Sequence, residues 1–431
     1  MEIILWLLIG IGGGLAVTFF GIMLFALLFK QRKVAAAVEA DHTHDDGDAK
    51  DGEAGEGSGL NPIPAFSELD GNIGLFAAEQ TVRMESAFPS VTLPKLINHV
   101  INYAKNSQER LSYGTTEIKT FVAGIAASKL SILQGMSGTG KTSLPKIFME
   151  AIGGMCELVA VESSWRDKNE LLGYYNEFSK KFTPKAFTQF LYKASLNKNV
   201  PCFIVLDEMN LSRIEYYFSD FLSLMEARES DRHIKLFDVQ LYPSPDQEFI
   251  ALRDGHTIDI PTNVWFIGTA NRDESTFEIS DKVYDRAVTM NFEKRAPKIL
   301  SARVKTAPKF VPYEILKTLF DKALKFKFDA ESNEVIIKVE EILRPYKISF
   351  GNRVLKQIED FVKVYTACSG SHNDRPNYVL EAIDSIVCSK IVHKLEVKQI
   401  MDVDALVKAF QKLKLTQCVE FLKTLSNAGG W

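Results

Sequence analysis

Cysteine is scarce in this 431-residue chain, and its five cysteines lie far apart. No two of them form a CxxC pair, and no regular spacing points to a zinc site or a disulfide framework. The scarcity excludes the disulfide-rich and zinc-finger classes of protein. It also indicates a reducing compartment, in which each cysteine is expected to be a small buried hydrophobe. The cysteines are Cys156, Cys202, Cys368, Cys388 and Cys418.

An excess of charge of one sign is also lacking, because 51 basic and 55 acidic residues leave a formal net charge of -4. A global attraction to nucleic acid is therefore excluded, and such binding would need a local basic patch. The sequence leaves nucleic-acid binding open without indicating it. With 46% hydrophobic and 25% charged residues, the chain has an ordinary globular composition and room for two or three domains.

Charged residues are absent from the run between Ile3 and Phe29. A helix over this run would be roughly 40 Å long, enough to cross a bilayer core of about 30 Å. Residues 1–33 are therefore predicted to be a transmembrane anchor. A cleaved signal peptide is the alternative, since small residues stand at 35–37, but no basic segment precedes the run and the run is too long for one.

Basic residues follow the apolar run at Lys30, Arg32 and Lys33. The positive-inside rule therefore predicts a single-pass inner (cell) membrane protein with its N-terminus outside and the rest of the chain in the cytoplasm. A GxxxG step at Gly10 and Gly14 leaves open whether the anchor dimerises.

Large apolar residues are nearly missing from residues 39–59, which are acidic and rich in glycine. Residues 34–62 are therefore predicted to be a disordered linker. From 63 to 295, apolar runs alternate with helical patterns and predict an α/β domain with a parallel five-strand sheet. Residues 228–261 interrupt this alternation and are predicted to form an inserted hairpin. Residues 296–431 carry helical patterns alone and are predicted to be an all-α lid domain.

A glycine-rich turn, GMSGTGKT, runs from Gly135 to Thr142 and satisfies GxxxxGK[ST], with a predicted strand before it and a helix after it. This is the context that a phosphate-binding loop requires. Its glycines let backbone N–H groups face phosphates, Lys141 neutralises phosphate charge, and the Thr142 hydroxyl is suited to ligate Mg²⁺. The predicted nucleotide-binding residues are Gly135, Met136, Ser137, Gly138, Thr139, Gly140, Lys141, Thr142 and Ser143.

Two acids end the apolar run CFIVLDE, at Asp207 and Glu208. The carboxyl edge of a parallel sheet is where ligands collect, so Asp207 is predicted to hold Mg²⁺ and Glu208 to be the general base that activates water. Asn271, at the end of VWFIGTAN, is predicted to orient that water from the other side. The structural alternatives are an acid pair that caps a helix and an asparagine that forms a turn.

These motifs stand in a fixed order: GMSGTGKT, ELLGYYN, FIVLDEMNLSRIEYYFSDFLSLME, IPTNVWFIGTANRDEST and SDKVYDRA. The ordered set resembles AAA+ ATPases. Within them it is most similar to the branch that contains the McrB-type restriction NTPases, the MoxR chaperones, and the midasin and dynein motors. The likeness is strong over residues 115–295 and looser over the helical lid.

The resemblance implies a homo-oligomeric ring, usually hexameric, with a nucleotide between neighbouring subunits. Arg286 in DKVYDRA matches the arginine that reaches the γ-phosphate bound by the next subunit. A planar cation entering in this way stabilises transition-state charge. Arg353, at the start of a predicted lid helix, is similar to the second sensor arginine, which binds the nucleotide from the lid.

Two departures from the branch bear on the substrate. GTP-using McrB proteins carry MNxxDR at the sensor strand, whereas this chain has ANRDES, with Glu274 and Ser275 where Asp and Arg are expected. ATP with Mg²⁺ is therefore the expected cofactor pair, and GTP stays an alternative. Leu211 replaces the arginine usual in McrB and MoxR proteins, a variant closer to midasin.

The resemblance thus implies a membrane-anchored ATPase that couples hydrolysis to remodelling or translocation in a ring. The remaining sequence carries no nuclease or protease motif, so the effector is expected to be a separate partner protein. Three roles stay open. They are the motor of a restriction or phage-defence system with a separate nuclease, a MoxR-like chaperone that matures a protein client, and a nucleotide-gated assembly scaffold with little turnover.

Overall fold

Short apolar runs that alternate with amphipathic segments produce a parallel sheet with helices on both faces. The computed structural model describes residues 66–179, 181–238, 252–271, 276–292, 297, 304, 306–370, 375–395 and 402–428. The predicted anchor and linker lie outside these residues. The chain divides into two units, Met1–Gly59 and Leu60–Trp431, and the described residues belong to the second. None of the helices within the described ranges has the length and hydropathy to cross a bilayer.

The main sheet has five parallel strands in the order β10-β1-β9-β5-β2. Each of the five strands predicted from apolar runs forms one of its members. Strands β3 and β4 pair separately, and β6, β8 and β7 form a third, antiparallel sheet. The strands are β1 Leu130–Gly135, β2 Met155–Ala160, β3 Gly173–Asn176, β4 Lys181–Pro184, β5 Cys202–Asp207, β6 His233–Lys235, β7 Leu252–Arg253, β8 Thr257–Asp259, β9 Val264–Ala270 and β10 Val288–Phe292.

The two faces of the sheet bury separate apolar cores. Along β5, Phe203 and Val205 lie in one core and Ile204 and Leu206 in the other. Successive side chains of a strand point to opposite faces, so a strand covered on both sides must be apolar throughout. All of β9 is buried for the same reason. The central strands are therefore fixed in place, and their polar ends project at one edge.

Helices lie between the strands of the α/β region and make up the described part of the C-terminal region. They are α1 Ser67–Asp70, α2 Ile73–Glu85, α3 Leu93–Asn106, α4 Thr115–Ala127, α5 Ser143–Ala151, α6 Asn169–Leu172, α7 Ala186–Leu196, α8 Ile214–Tyr217, α9 Ser219–Leu224, α10 Asp281–Tyr284, α11 Tyr313–Leu324, α12 Glu334–Leu343, α13 Asn352–Ser369, α14 Arg375–Lys390, α15 Val403–Lys412 and α16 Thr416–Ala428, with 3-10 turns at Glu229–Asp231, Arg344–Tyr346 and Val392–Leu395.

The C-terminal helical region shares a core with one face of the sheet. Helix α13 packs against α4 and α14, and Phe361 and Tyr365 on α13 are fully buried. The same apolar cluster continues to Phe203 and Trp265 on the central strands. Burial of large aromatic side chains of this kind stabilises a fold by about 3–5 kcal/mol each relative to alanine.

The predicted insert at 228–261 contains the antiparallel pair β6 and β8, with Lys235 opposite Thr257. Strand β7 adds a third member on the other side of β8. Residues 239–251 lie outside the described residues. In the described part, the insert precedes β9 and leaves the parallel order of the main sheet intact.

Candidate nucleotide-binding site

The glycine-rich turn joins β1 to α5 and depends on backbone angles that glycine tolerates. Gly135 has φ of +141°, and a Cβ atom there would lie 2.2 Å from the carbonyl oxygen of Phe292 on β10. Gly138 and Gly140 have φ of +74° and +99°. Side chains rarely adopt these angles. The turn therefore requires glycine for conformation and, at Gly135, for space.

The side chain of Lys141 folds back over this turn. Its Nζ donates to the carbonyl oxygens of Gly135, at 2.9 Å, and Met136, at 2.6 Å. Thr139 Oγ1 also donates to Met136 O, and Tyr113 OH donates to Gly140 O at 3.0 Å. These bonds hold the loop in a defined shape with a cation at its centre. A cation and turned backbone N–H groups are what an anionic phosphate chain binds.

Thr142 and Asp207 meet beside the loop. Thr142 Oγ1 donates to Asp207 Oδ1 at 2.8 Å. A hydroxyl and a carboxylate oxygen this close fit Mg²⁺, which prefers oxygen ligands and usually takes only one or two from the protein, the rest coming from phosphates and water. These two residues, which the sequence predicts as metal ligands, would hold the ion.

Glu208 follows directly, and its carboxylate contacts Asn271. Asn271 Nδ2 donates to Glu208 Oε1 at 2.9 Å, so the predicted base and the predicted water-orienting residue are in direct contact. Glu208 also has a left-handed backbone, with φ of +53°. Such angles cost a non-glycine residue roughly 1–3 kcal/mol and persist where neighbours hold them, often at functional sites.

Two further residues organise the site, Thr269 through the acids and Asn210 through Asn271, and the sequence motifs assign a role to neither. Thr269 Oγ1 donates to Asp207 Oδ1 at 2.7 Å and accepts the Glu208 N–H at 2.9 Å. Asn210 donates to the carbonyl of Asn271 at 2.8 Å and accepts its N–H at 3.3 Å. Thr269 stands in GTAN on the buried strand β9, where a polar residue is the available signal, whereas Asn210 stands in DEMN in the turn that follows β5.

The loop and the acids line one cleft of about 440 Å³. Glu109 and Leu111, which come before α4, also line it and were missed from the sequence because no motif marks them. Of the predicted nucleotide-binding and catalytic residues, the cleft is lined by Ser137, Gly138, Thr139, Gly140, Lys141, Thr142, Ser143, Asp207, Glu208 and Asn271. Gly135 and Met136 contribute the carbonyls that bind Lys141.

Arg286 and Arg353 lie elsewhere, in a separate cavity of about 660 Å³ that shares no lining residue with the phosphate cleft. Both contact Glu226, with Arg286 Nη2 at 3.1 Å and Arg353 Nε at 2.5 Å. Arg353, which the resemblance likens to the second sensor arginine of the lid, does not line the phosphate cleft of its own chain. Its helix, α13, begins beside Glu226, so its side chain pairs there. We call these three residues the arginine cluster.

Most residues that line the cleft fall within a span that matches a known protein family. Residues 131–287 match the family described as AAA domain (dynein-related subfamily), a span that includes the phosphate loop, both acids, Asn271 and Arg286. Residues 309–427, which form the C-terminal helices, match a domain of unknown function, DUF8727. No curated protein matches the chain.

Proposed function

We propose that this chain, in which residues 131–287 form an AAA domain of the dynein-related subfamily, is a Mg²⁺-dependent ATPase that acts as a ring of identical subunits. An AAA domain implies nucleoside triphosphatase activity. The choice of ATP over GTP, the ring and the membrane anchor are parts of the proposal. The observation that carries the chemistry is the contact of Asn271 with Glu208 beside the Thr142–Asp207 pair in one cleft.

The residues of the cleft have distinct tasks in this reaction. Lys141 and the turned N–H groups bind the triphosphate, and Thr142 with Asp207 would hold Mg²⁺, which would neutralise phosphate charge. Glu208 accepts a proton from the attacking water, and Asn271 fixes the direction of its carboxylate. Thr269 binds the carboxylate of Asp207 and the backbone N–H of Glu208, and so fixes their positions relative to each other.

The arginine cluster supports a site shared between subunits. In one chain neither arginine lines the phosphate cleft, so a cation from this cluster reaches a γ-phosphate only when a neighbour supplies it. A guanidinium in that place stabilises the charge of phosphoryl transfer and links hydrolysis to the arrangement of subunits. We propose that the ring uses this link to remodel or move a partner molecule at the cytoplasmic side of a membrane.

The test is ATP turnover by the purified full-length chain and two variants. Glu208→Gln should reduce turnover about 100-fold or more while ATP still binds, because the general base is lost. Lys141→Ala should weaken ATP binding about tenfold or more, because a charge-assisted contact is lost. Glu162→Gln is the matched control, since this exposed acid follows β2 at the same edge of the sheet.

Turnover by Glu208→Gln at the wild-type rate would refute the assigned base. GTP in place of ATP, in the same assay, tests the nucleotide preference. Capture of partners by Glu208→Gln in the presence of ATP then separates the proposed roles: a nuclease supports the defence motor, and a protein client supports the chaperone. If the Glu208→Gln variant keeps its function in cells although its ATP turnover is lost, that result supports the scaffold role.

A further inference from the structure

Five basic side chains line a cavity of about 640 Å³ in the C-terminal helical region. This volume is within the range of ligand sites, about 300–1,000 Å³. The cations come from α11, the loop after it, α13 and the first residue of α14, and no acidic side chain is among the described residues that line the cavity. We call it the basic cavity, and its cations are Lys322, Lys325, Lys327, Lys363 and Arg375.

The charge of the basic cavity is largely uncompensated. Lys363 pairs with Glu359, one turn earlier on α13, at 2.5 Å. Asp329, the next acid along the chain after the lysines of α11 and its loop, instead accepts from the Ser332 hydroxyl at 2.6 Å. Within the part of the chain that the structure describes, the other four cations form no ion pair. The cavity is therefore the local basic patch that a chain of net charge -4 needs in order to bind a polyanion.

An aromatic ring lies beside these cations. The guanidinium of Arg375 lies over the half-buried ring of Phe326, 5.6 Å from its centroid. The same two residues line a second cavity of about 460 Å³, whose other lining residues are mostly apolar: Asn333, Val335, Pro376, Val379, Leu380 and Ile383. Guanidinium groups and aromatic rings both offer flat faces on which another ring can stack. A platform for a planar group thus adjoins the basic cavity.

This combination narrows the chemistry of the ligand. The lysines suit phosphate groups, and the flat faces with the apolar cavity suit a planar ring. Single-stranded nucleic acid carries both groups in regular succession, and proteins that bind it combine a basic groove with aromatic side chains. An anionic membrane attracts basic segments through its surface potential and requires neither a cavity nor a ring. The observations therefore favour a nucleic-acid strand over a lipid surface.

We infer that the basic cavity binds single-stranded nucleic acid, with its lysines on the phosphates and a base stacked at Phe326 and Arg375. The cavity shares no lining residue with the phosphate cleft, so the inference does not rest on the proposed ATPase activity. It gives a ligand to the region that matches a domain of unknown function. Contacts to phosphates and ring faces carry little sequence information, so no strong base preference is expected.

The test is fluorescence anisotropy of labelled oligo-dT and oligo-rU, each about 12 nucleotides long, with the full-length chain in detergent at several KCl concentrations. With about four phosphates neutralised, the logarithm of the binding constant should fall with the logarithm of the salt concentration at a slope of about -3. The triple variant Lys322→Gln, Lys325→Gln and Lys327→Gln should weaken binding about tenfold or more. Its slope should be smaller in magnitude by about 2, because three contacts are lost.

The matched control is the triple variant Lys408→Gln, Lys412→Gln and Lys414→Gln. It removes the same charge from exposed positions on α15 and just after it, outside the cavity, and should bind within about twofold of wild type. Phe326→Leu should weaken binding about tenfold and leave the salt slope unchanged, because stacking on the ring involves no phosphate. The urea midpoint shows that each variant is folded.

Two outcomes with these variants would overturn the inference: wild-type affinity and slope in the cavity triple variant, and an equal loss in the α15 control. Lys141→Ala should bind the oligonucleotides as wild type does, and a loss there would assign them to the phosphate cleft instead. Vesicles of phosphatidylcholine with phosphatidylserine should displace no more oligonucleotide than vesicles of phosphatidylcholine alone. Extra displacement that the cavity triple variant abolishes would assign the basic cavity to lipid headgroups.

Discussion

The side chain of Thr269 on β9 binds both acids at the end of the neighbouring strand β5. Its Oγ1 donates to Asp207 Oδ1 over 2.7 Å, and the same oxygen accepts the backbone N–H of Glu208 over 2.9 Å. The register of the two parallel strands places Leu206 opposite Gly268, so the next residues on each strand meet at the sheet edge. One hydroxyl thus fixes the proposed metal ligand and the proposed base together.

Thr269→Val should therefore reduce ATP turnover about 10- to 100-fold, because Asp207 and Glu208 lose their common anchor. An unpaired buried group costs about 1–3 kcal/mol, so the free energy of unfolding should fall by a similar amount. Turnover assays and urea unfolding measure both effects. Thr269→Ser keeps the hydroxyl and should stay near wild type, and a valine variant with normal turnover would contradict this role.

Asn271→Leu tests the hold on the general base. The substitution keeps the size of the side chain and removes the amide that donates to Glu208 Oε1 at 2.9 Å. Turnover should fall about 10- to 100-fold while ATP affinity changes less than about threefold, because Asn271 contacts the base and does not belong to the phosphate loop. Equal losses in affinity and turnover would instead indicate a role in binding.

Lys390→Met tests the support of the segment that carries Arg286. Lys390 Nζ donates to the carbonyls of Tyr284, Asp285 and Ala287, within 3.2 Å in each case. Burial lowers the pKa of this lysine to about 7. The variant leaves three carbonyls without that donor and should lose roughly 2–4 kcal/mol in stability, seen as a lower denaturation midpoint. Lys408→Met, at an exposed position on α15, should change little.

A pH dependence is expected from His99, whose Nε2 lies 2.9 Å from the carbonyl oxygen of Ala151. Burial, together with the charge of Lys309, lowers its pKa below the ordinary 6.5, although the Ala151 carbonyl opposes the shift. The unfolded chain then takes up a proton more readily than the folded one. The free energy of unfolding should therefore fall as the pH drops below 6.5, by at most about 1.4 kcal/mol per pH unit.

The measurement is the difference in urea unfolding free energy between wild type and His99→Gln at about pH 7.5 and about pH 5, since other titrating groups cancel in that difference. Wild type should lose more stability than the variant on acidification. A difference that stays constant with pH would show that His99 does not titrate in this range.

Local pattern was sufficient for most of the secondary structure. The apolar runs became the five strands of the main sheet because a strand buried on both faces must be apolar along its length. The short strands outside the main sheet were harder to predict. The segment at β3 is only four residues long and β7 only two, so neither shows a periodic apolar pattern.

The phosphate loop, the two acids and Asn271 are recognisable along the chain alone, because glycine angles, strand ends and motif spacing are properties of neighbouring residues. Which side chains hold them, and where the arginines lie, depends on how the strands and helices pack. Thr269 binds acids about 60 residues earlier in the chain, and Arg353 pairs with Glu226 across 127 positions. No local spacing encodes such contacts, since they depend on which strands and helices pack together. The same packing separates Arg286 from the phosphate cleft of its own chain.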